Sequence, residues 1–389
     1  MTAAPAPERR VRAFLDLLRG TGRLAPEWEA PFTAVQRHRF LPDVIWAPAG
    51  DDDGDGYVPV GSDDPYWWDE AAYADVAVVT QVDDGRPAGP GGRGLIATSS
   101  ASQPSLVAWM LTESDVRVGH RVLEVGTGTG YNAALLSARL GDGKVVTVEV
   151  DEALAERARA VLADAGHRPQ VVTGDGARPV GRGRFDRVIA TAAARAVPYP
   201  WVEQTVPGGV VLTPWGPGFG SPHLLRLIVE EDGRAHGRIV GAAPFMWLRD
   251  HRAPAGRMWD HVADDAPTAE GRIAVSPRVV ARDDRGLELA LGVLVPRLNY
   301  ALYEAKDGSG EATVYVYDRA GSWAWAEYEP GAADYETHHH GPRDMWAEVA
   351  AAYRWWTGAG RPGVDRFGLT VTPHGQTVWL DSPARPVGS

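Results

Sequence analysis

Between Val122 and Tyr131 the sequence runs Val122-Leu123-Glu124-Val125-Gly126-Thr127-Gly128-Thr129-Gly130-Tyr131, an apolar run with an acid near its end that turns on alternating glycines into a helical pattern. Glycines at such a turn let backbone approach a ligand closely, as at the first crossover of a doubly wound sheet. A dinucleotide fingerprint wants its third glycine where Tyr131 stands, and a phosphate-binding P-loop wants Lys and then Ser or Thr after its last glycine. Neither requirement is met. Glu124, close before the first glycine, suits a ligand with a cationic head such as the ammonium of a methionine moiety. Gly126, Thr127, Gly128 and Gly130 are the other candidate contacts in the turn. Glu149 ends the next apolar run, where a carboxylate accepts from both ribose hydroxyls. After a third run, Gly174-Asp175-Gly176 puts the Asp175 carboxylate and the open backbone of Gly176 where an adenine amino group would lie. Three such elements in order favour S-adenosyl-L-methionine, leaving S-adenosyl-L-homocysteine as product, over a pyrophosphate ligand.

The elements that must carry these residues are written as short apolar runs alternating with helical segments, the pattern of a parallel sheet flanked by helices. Strands are expected over Arg121–Val125, Lys144–Val150, Gln170–Thr173, Arg187–Thr191 and Gly209–Thr213. Helices are expected over Tyr131–Leu140 and Glu152–Ala165. Leu224–Glu230 and Gly237–Ala242 read as an antiparallel pair. The fold class is therefore α/β, a Rossmann-like doubly wound sheet with helices on both faces, followed by a C-terminal α+β extension.

In that extension, strands are expected over Arg272–Val280, Leu287–Val295, Ala312–Asp318, Trp323–Glu329 and Thr377–Asp381, with one helix carrying Met345, Trp346, Val349, Tyr353 and Trp356 and stopping at Gly358. Eight of the fifteen tryptophans lie in this tail or at its edge. Most such tryptophans are core, and a few could line an aromatic groove for a peptide. The organisation expected is a helical and loop region over 1–95, the cofactor-binding core over 96–248, and a peptide-recognition extension over 249–389.

Composition bounds the chemistry further. The 389 residues suggest two units or one large one. Lys plus Arg number 39 against 51 Asp plus Glu, a net charge of −12 that repels phosphate backbones and makes nucleic acid an unlikely partner. Zero cysteines remove disulfides, thiolate nucleophiles and cysteine-ligated zinc. No run of apolar residues is long enough to cross a membrane, so no membrane partner and a cytoplasmic location are expected. Arg9-Arg10-Val11-Arg12 is a poor export signal because Asp16 and Arg19 interrupt the run. Val11, Phe14, Leu15 and Leu18 instead recur as an amphipathic helix. Asp51–Gly56 invites a calcium reading but lacks the glutamate an EF-hand loop needs, and a solvated loop fits better. The same holds for His338-His339-His340, whose consecutive side chains diverge. No metal is expected.

Upstream of the glycine turn stands Ala97-Thr98-Ser99-Ser100-Ala101-Ser102-Gln103-Pro104. With it, residues from roughly 30 to 245 resemble the protein-L-isoaspartate O-methyltransferases, a family dependent on S-adenosylmethionine. Ser100–Pro104 takes the place of the family's Thr-Ile-Ser-x-Pro stretch, and Arg37-His38-Arg39-Phe40-Leu41-Pro42 looks like its early Arg-x-x-Phe-x-Pro segment. The resemblance implies that Ser102 is the active-site serine that orients the acceptor carboxylate, with Ser99 and Ser100 supporting the loop and joining the cofactor-binding set. Departures are Ser100 and Ala101 where the family has Thr and Ile, and Ser105 where a histidine often follows the proline. Taken alone, Ser102 could also be the N-cap of a helix, the lesser of the two readings.

A carboxylate with an ordinary pKa near about 4 is ionised at neutral pH and needs no base to attack a sulfonium methyl. The enzyme supplies alignment and exclusion of water. Because the chain continues well past the methyltransferase sheet, it resembles family members associated with ribosomally made, modified peptides. These imply an Asp-containing, constrained precursor peptide (ATP-grasp-ligated, lasso or lanthionine) as partner, with its Asp side chain methylated and then closed to a succinimide or isoaspartate. General repair of L-isoaspartyl residues and a non-catalytic, cofactor-binding peptide escort are the alternatives. Oligomeric state is not written in the sequence.

Overall fold

The computed structural model describes residues 7–50, 56–253, 258–263 and 268–388. The calcium reading of Asp51–Gly56 falls largely outside them. Helix α1 (Pro7–Gly20) buries Val11, Phe14, Leu15 and Leu18, as their spacing predicts, and α2 (Pro26–Ala34) adds Trp28 and Phe32 beside them. Four strands follow, β1 (Val44–Pro48), β2 (Tyr57–Gly61), β3 (Val78–Val82) and β4 (Ala97–Ala101), in an antiparallel sheet of order β2-β1-β3-β4. The serine stretch thus ends β4, an edge strand of this sheet, and α3 (Pro104–Glu113) starts directly after it with Gln103, not Ser102, at its N-cap.

The central unit contains β5 (Val122–Val125), α4 (Tyr131–Leu140), β6 (Val145–Glu149), α5 (Glu152–Asp164), β7 (Gln170–Thr173), β8 (Phe185–Ala190), α6 (Tyr199–Glu203), β9 (Thr205–Trp215), β10 (His223–Val229) and β11 (Ala235–Ala242). β5 pairs in parallel with β6 on one side and β8 on the other, so successive crossovers leave β5 in opposite directions. A crevice opens at the carboxyl ends of strands at such a reversal, and it is where ligands bind in open α/β sheets. Every residue of β5 and β6 is buried, which explains why both read as continuous apolar runs.

The extension comprises β12 (Ala269–Ile273), α7 (Arg285–Leu294), β13 (Asn299–Glu304), β14 (Ala312–Tyr317), β15 (Trp323–Tyr328), β16 (Tyr335–His340), α8 (Met345–Gly358), β17 (Phe367–Thr372) and β18 (Gly375–Leu380). β12 to β16 form an antiparallel sheet of order β12-β16-β15-β14-β13. β17 and β18 leave it and join the central sheet, whose full order is β18-β17-β11-β10-β9-β8-β5-β6-β7. One face of the central sheet shares a core with α7, α8, β14 and β15, and the other with α1 to α4.

Three expectations change. Leu287–Val295 is helix α7, not strand: the Asp284 carboxylate accepts from the Gly286 and Leu287 N–H groups, and Leu287, Leu291 and Val295 are four apart on one buried stripe. The extension therefore holds two α-helices among its described residues. The strand expected over Arg272–Val280 ends at Ile273, and Pro277, which has no N–H for a ladder, opens a short helical turn. His338-His339-His340 lies in strand β16, where alternation sends His338 onto the Trp325 ring, at 4.0 Å between centroids, and His340 onto Trp323. Among the described residues no group of His, Asp and Glu could hold a metal, and no helix is long and apolar enough to cross a membrane.

Candidate active site

The turn between β5 and α4 forms the floor of a cavity of about 380 Å³. Gly126 has φ 99°, and a Cβ there would lie 2.7 Å from the Thr191 hydroxyl, so the turn closes only around glycine. A Cβ on Gly128 would point to within 3.8 Å of both the Ser99 hydroxyl and the Ser100 carbonyl, so the glycine turn and the serine strand face each other.

Behind the turn, Glu124 is fully buried. One carboxylate oxygen accepts from Asn132 Nδ2 at 2.7 Å and the other from Thr147 Oγ1 at 2.6 Å. Since Thr147 gives its hydrogen to Glu124, the Thr127 hydroxyl, 2.6 Å away, is the donor to Thr147. Burial pushes the Glu124 carboxyl up to about 7, against the lowering effect of those hydrogen bonds. Glu149 accepts from the Gly128 N–H at 2.9 Å and the Asp151 N–H at 3.1 Å, which leaves further lone pairs for a ligand. Glu124 thus holds the turn from behind, and Glu149 holds it from the side while lining the cavity.

Gly176 also lines the cavity, and its backbone is close to β5 because a Cβ there would lie 2.6 Å from Val125 Cγ1. Asp175 stands apart: it is exposed, accepts from the Ala177 N–H at 2.8 Å and lies 3.4 Å from Arg178. The expected run Glu124, Gly126, Thr127, Gly128, Glu149 and Gly176 comes together on one cavity. Gly130 supports it from the α4 side, packed on Leu162.

Ser99, Ser100 and Ser102 form the opposite wall. The loop they end in is braced by Arg37, which is buried and whose guanidinium donates to the carbonyls of Ala71, Ala72, Ala74, Val76, Ala101 and Ser102 at 2.8–3.3 Å. Burial lowers its pKa to about 10, which still leaves it a cation at neutral pH. Asp75 completes the brace by accepting from the Ser105 N–H at 2.8 Å and from Gln103 Nε2 at 3.1 Å. The Ser102 carbonyl is therefore fixed at a residue that lines the cavity.

Sequence reasoning missed the third wall, residues 244–252 after β11, where Trp247, Arg249 and Arg252 line the cavity. It also missed Thr191 at the end of β8, although a strand-end hydroxyl at the reversal point was a usable signal. The segment after β11 offered none. The cavity's charged side chains are Glu124 and Glu149 on the cradle side and Arg249 and Arg252 at the rim. Two buried polar groups on the wall, Asn132 Oδ1 and the Tyr131 hydroxyl, have no hydrogen-bond partner among the described residues. Orphaned polar atoms beside a glycine cradle and paired carboxylates fit a nucleoside carrying a cationic amino-acid arm, the cofactor expected from the sequence.

The profile of the family described as protein-L-isoaspartate(D-aspartate) O-methyltransferase matches residues 67–252. A protein-L-isoaspartate O-methyltransferase 2 of Rhodopseudomonas palustris is 46% identical over 134 residues, 34% of this chain and 61% of that protein. The chain thus spans about 60% of the length of the first such relatives. The protein-L-isoaspartate O-methyltransferase of Pyrococcus horikoshii is 38% identical over 154 residues, 39% of this chain and 70% of that one. The corresponding enzyme 2 of Archaeoglobus fulgidus is 40% identical over 38% of this chain and 68% of its own. A solved structure titled protein-L-isoaspartate O-methyltransferase has the same fold, with a TM-score of 0.53 at 20% identity over 96% of this chain and all of that one, so the likeness runs through the C-terminal sheet.

Proposed function

This chain belongs to the protein-L-isoaspartate(D-aspartate) O-methyltransferase family, and on that premise we propose that it is an S-adenosylmethionine-dependent carboxyl O-methyltransferase acting on an aspartyl or isoaspartyl carboxylate in a peptide. The observation that carries this reading is the apposition of the glycine turn, braced by Glu124 and Glu149, and the Ser99–Ser102 wall across one cavity. S-adenosylmethionine, when bound, supplies an electrophilic methyl on sulfonium, which passes to a carboxylate oxygen as the carbon–sulfur bond breaks.

The protein's residues do the holding. Gly126 and Gly128 open the floor, Glu149 accepts ribose hydroxyls beside the N–H groups it already takes, and Glu124 fixes the turn through Thr147 and Asn132. Ser102 donates to the acceptor carboxylate and sets its direction of approach, and Arg37 and Asp75 keep Ser102 in register. Residues 244–252 cover the cavity and exclude water, so the carboxylate sheds hydration that blunts its attack.

The acceptor we favour is an Asp side chain in a constrained, ribosomally made precursor peptide, whose methyl ester loses methanol to the following backbone nitrogen and closes to a succinimide or isoaspartate. The extension supports this reading with an aromatic sheet face of Tyr303, Tyr315 and Trp325, where the Trp259 ring packs against Tyr303 and Tyr315 from outside the strands. General repair of L-isoaspartyl residues is the second reading, favoured by the fold likeness that extends through the same unit. Mass spectrometry separates them. The protein is incubated with S-adenosylmethionine and either a generic isoaspartyl peptide or a cyclised Asp-containing precursor encoded beside the gene. A gain of one methylene and then a net loss of water on the precursor alone supports maturation, methylation of the generic peptide alone supports repair, and no transfer to either refutes the activity.

A further inference from the structure

At the rim of the cavity two arginines meet one displaceable aspartate. Arg252 donates to both carboxylate oxygens of Asp84, at 2.8 and 3.1 Å, and to the Thr98 carbonyl at 3.4 Å. Arg249 lies 3.3 Å from Asp84 and 3.1 Å from Asp151. The two aspartates differ in how they are held. Asp151 caps α5 by accepting from the Leu154 N–H, accepts also from Gln81, and is 13% exposed. The Asp84 carboxylate touches only the arginines among the described residues, and it is 47% exposed.

The turn that presents Asp84 is strained. Asp83 and Asp84 are consecutive non-glycine residues at φ 49° and 50°, a left-handed conformation that costs roughly 1–2 kcal/mol per residue. It is held by the Asp83 carboxylate, which accepts from the N–H groups of Ala88, Leu95 and Ile96. Strain maintained by such a brace is characteristic of functional loops.

The charge balance of the cavity explains what the arginines are for. Its carboxyl groups are those of Glu149 and of Glu124, the latter pushed up to about 7 by burial, in a chain of net charge −12. An acidic peptide approaching them meets repulsion unless cations stand at the mouth, and Arg249 and Arg252 are the cations on the cavity wall. The pair is poorly suited to the reacting carboxylate, because a guanidinium clamped on both its oxygens withdraws the electron density that must attack the methyl. A second carboxylate has no such conflict, and Arg252 already reaches both oxygens of one through a single nitrogen, Nη1.

We propose that Arg249 and Arg252 recognise an acidic residue flanking the acceptor in the substrate peptide, and that Asp84 is the internal group it displaces. This rests on the carboxyl methyl-transfer reading above. The test uses the two acceptors of the previous experiment, an isoaspartyl peptide and a cyclised Asp precursor, each synthesised with Asp or with Asn beside the acceptor. The wild type prefers the Asp form in kcat/KM by on the order of tenfold, the worth of one charge-assisted contact. Arg252→Met brings the Asp-to-Asn ratio to about one, and Asp84→Asn lowers KM for the Asp form by removing the competitor. Thermal melts establish that each variant is folded. A ratio near one in the wild type, a wild-type ratio retained in Arg252→Met, or an unchanged KM in Asp84→Asn overturns the assignment while methyl transfer itself stands. Transfer to none of the four peptides overturns both.

Discussion

The hydroxyl of Thr147 and the carboxylate of Glu124 meet at 2.6 Å across two neighbouring parallel strands, and both side chains are fully buried. They are register partners on β6 and β5, so the strand pairing itself delivers the donor to the acid behind the glycine turn. This contact joins the Gly128–Glu149 and Thr127–Thr147 hydrogen bonds in coupling the sheet to the glycine turn.

Loss of the donor should be felt at both ends. Thr147→Val keeps the strand's shape but leaves one Glu124 oxygen without a partner, at a cost of roughly 1–3 kcal/mol. A lower urea midpoint with an unchanged slope is expected, together with weaker S-adenosylhomocysteine binding by calorimetry. If both stay at wild-type values, Glu124 does not brace the turn.

Glu124 should also leave a signature in the pH dependence of stability. Its folded value of about 7 lies above the unfolded carboxyl value near about 4.3. Between those values the folded state holds the extra proton, so the contribution is full below the unfolded value and is lost as pH rises through the folded one. Measured as wild type minus Glu124→Gln, relative stability should fall by roughly 3 kcal/mol from pH 4 to pH 8. A flat difference across that range would show that the carboxyl titrates normally.

Ser102→Ala should separate turnover from cofactor affinity. Ser102 lines the cavity, and the loop it stands in hangs on backbone carbonyls held by Arg37. Turnover is expected to drop on the order of tenfold to a hundredfold, the loss of one hydrogen bond to a charged group, with cofactor affinity unchanged. Full turnover in the variant would remove Ser102 from the acceptor side.

Arg37→Lys tests the brace. Lysine keeps the charge but has three donors on one point, and cannot reach the carbonyls spread over residues 71–76 and 101–102. A stability loss on the order of 3 kcal/mol is expected, with turnover falling more than cofactor affinity because the Ser102 loop is what loosens. A variant that melts with the wild type would mean the carbonyls find other donors.

The parts of the site that the sequence disclosed are those where burial forces a pattern. β5 and β6 are covered on both faces, so they appear as unbroken apolar runs ended by Glu124 and Glu149. In the four-stranded sheet before them, β2 has no fully buried residue and so leaves no alternation to read, whereas β3 buries every second residue, Val78, Thr80 and Val82. Arg37 was visible through a resemblance, but its task was not, since its acceptors are main-chain carbonyls that any residue supplies. Asp175 had the expected spacing yet points to Arg178, because spacing fixes where a Cα lies and not which way the carboxylate turns. Leu287–Val295 was mistaken for a strand because a short apolar run fits both periods, and the deciding signal was the capping Asp284 just upstream.

Strands β17 and β18 seal the edge that β11 would otherwise leave bare, although some 120 residues of other structure intervene in the chain. During synthesis that edge must wait, with its hydrogen-bonding groups open to any passing strand, until residues 367–380 have emerged. A shortened gene ending near residue 250 would make the vulnerability permanent, so poor yield or clumping of such a product would report on an uncapped sheet rather than on catalysis.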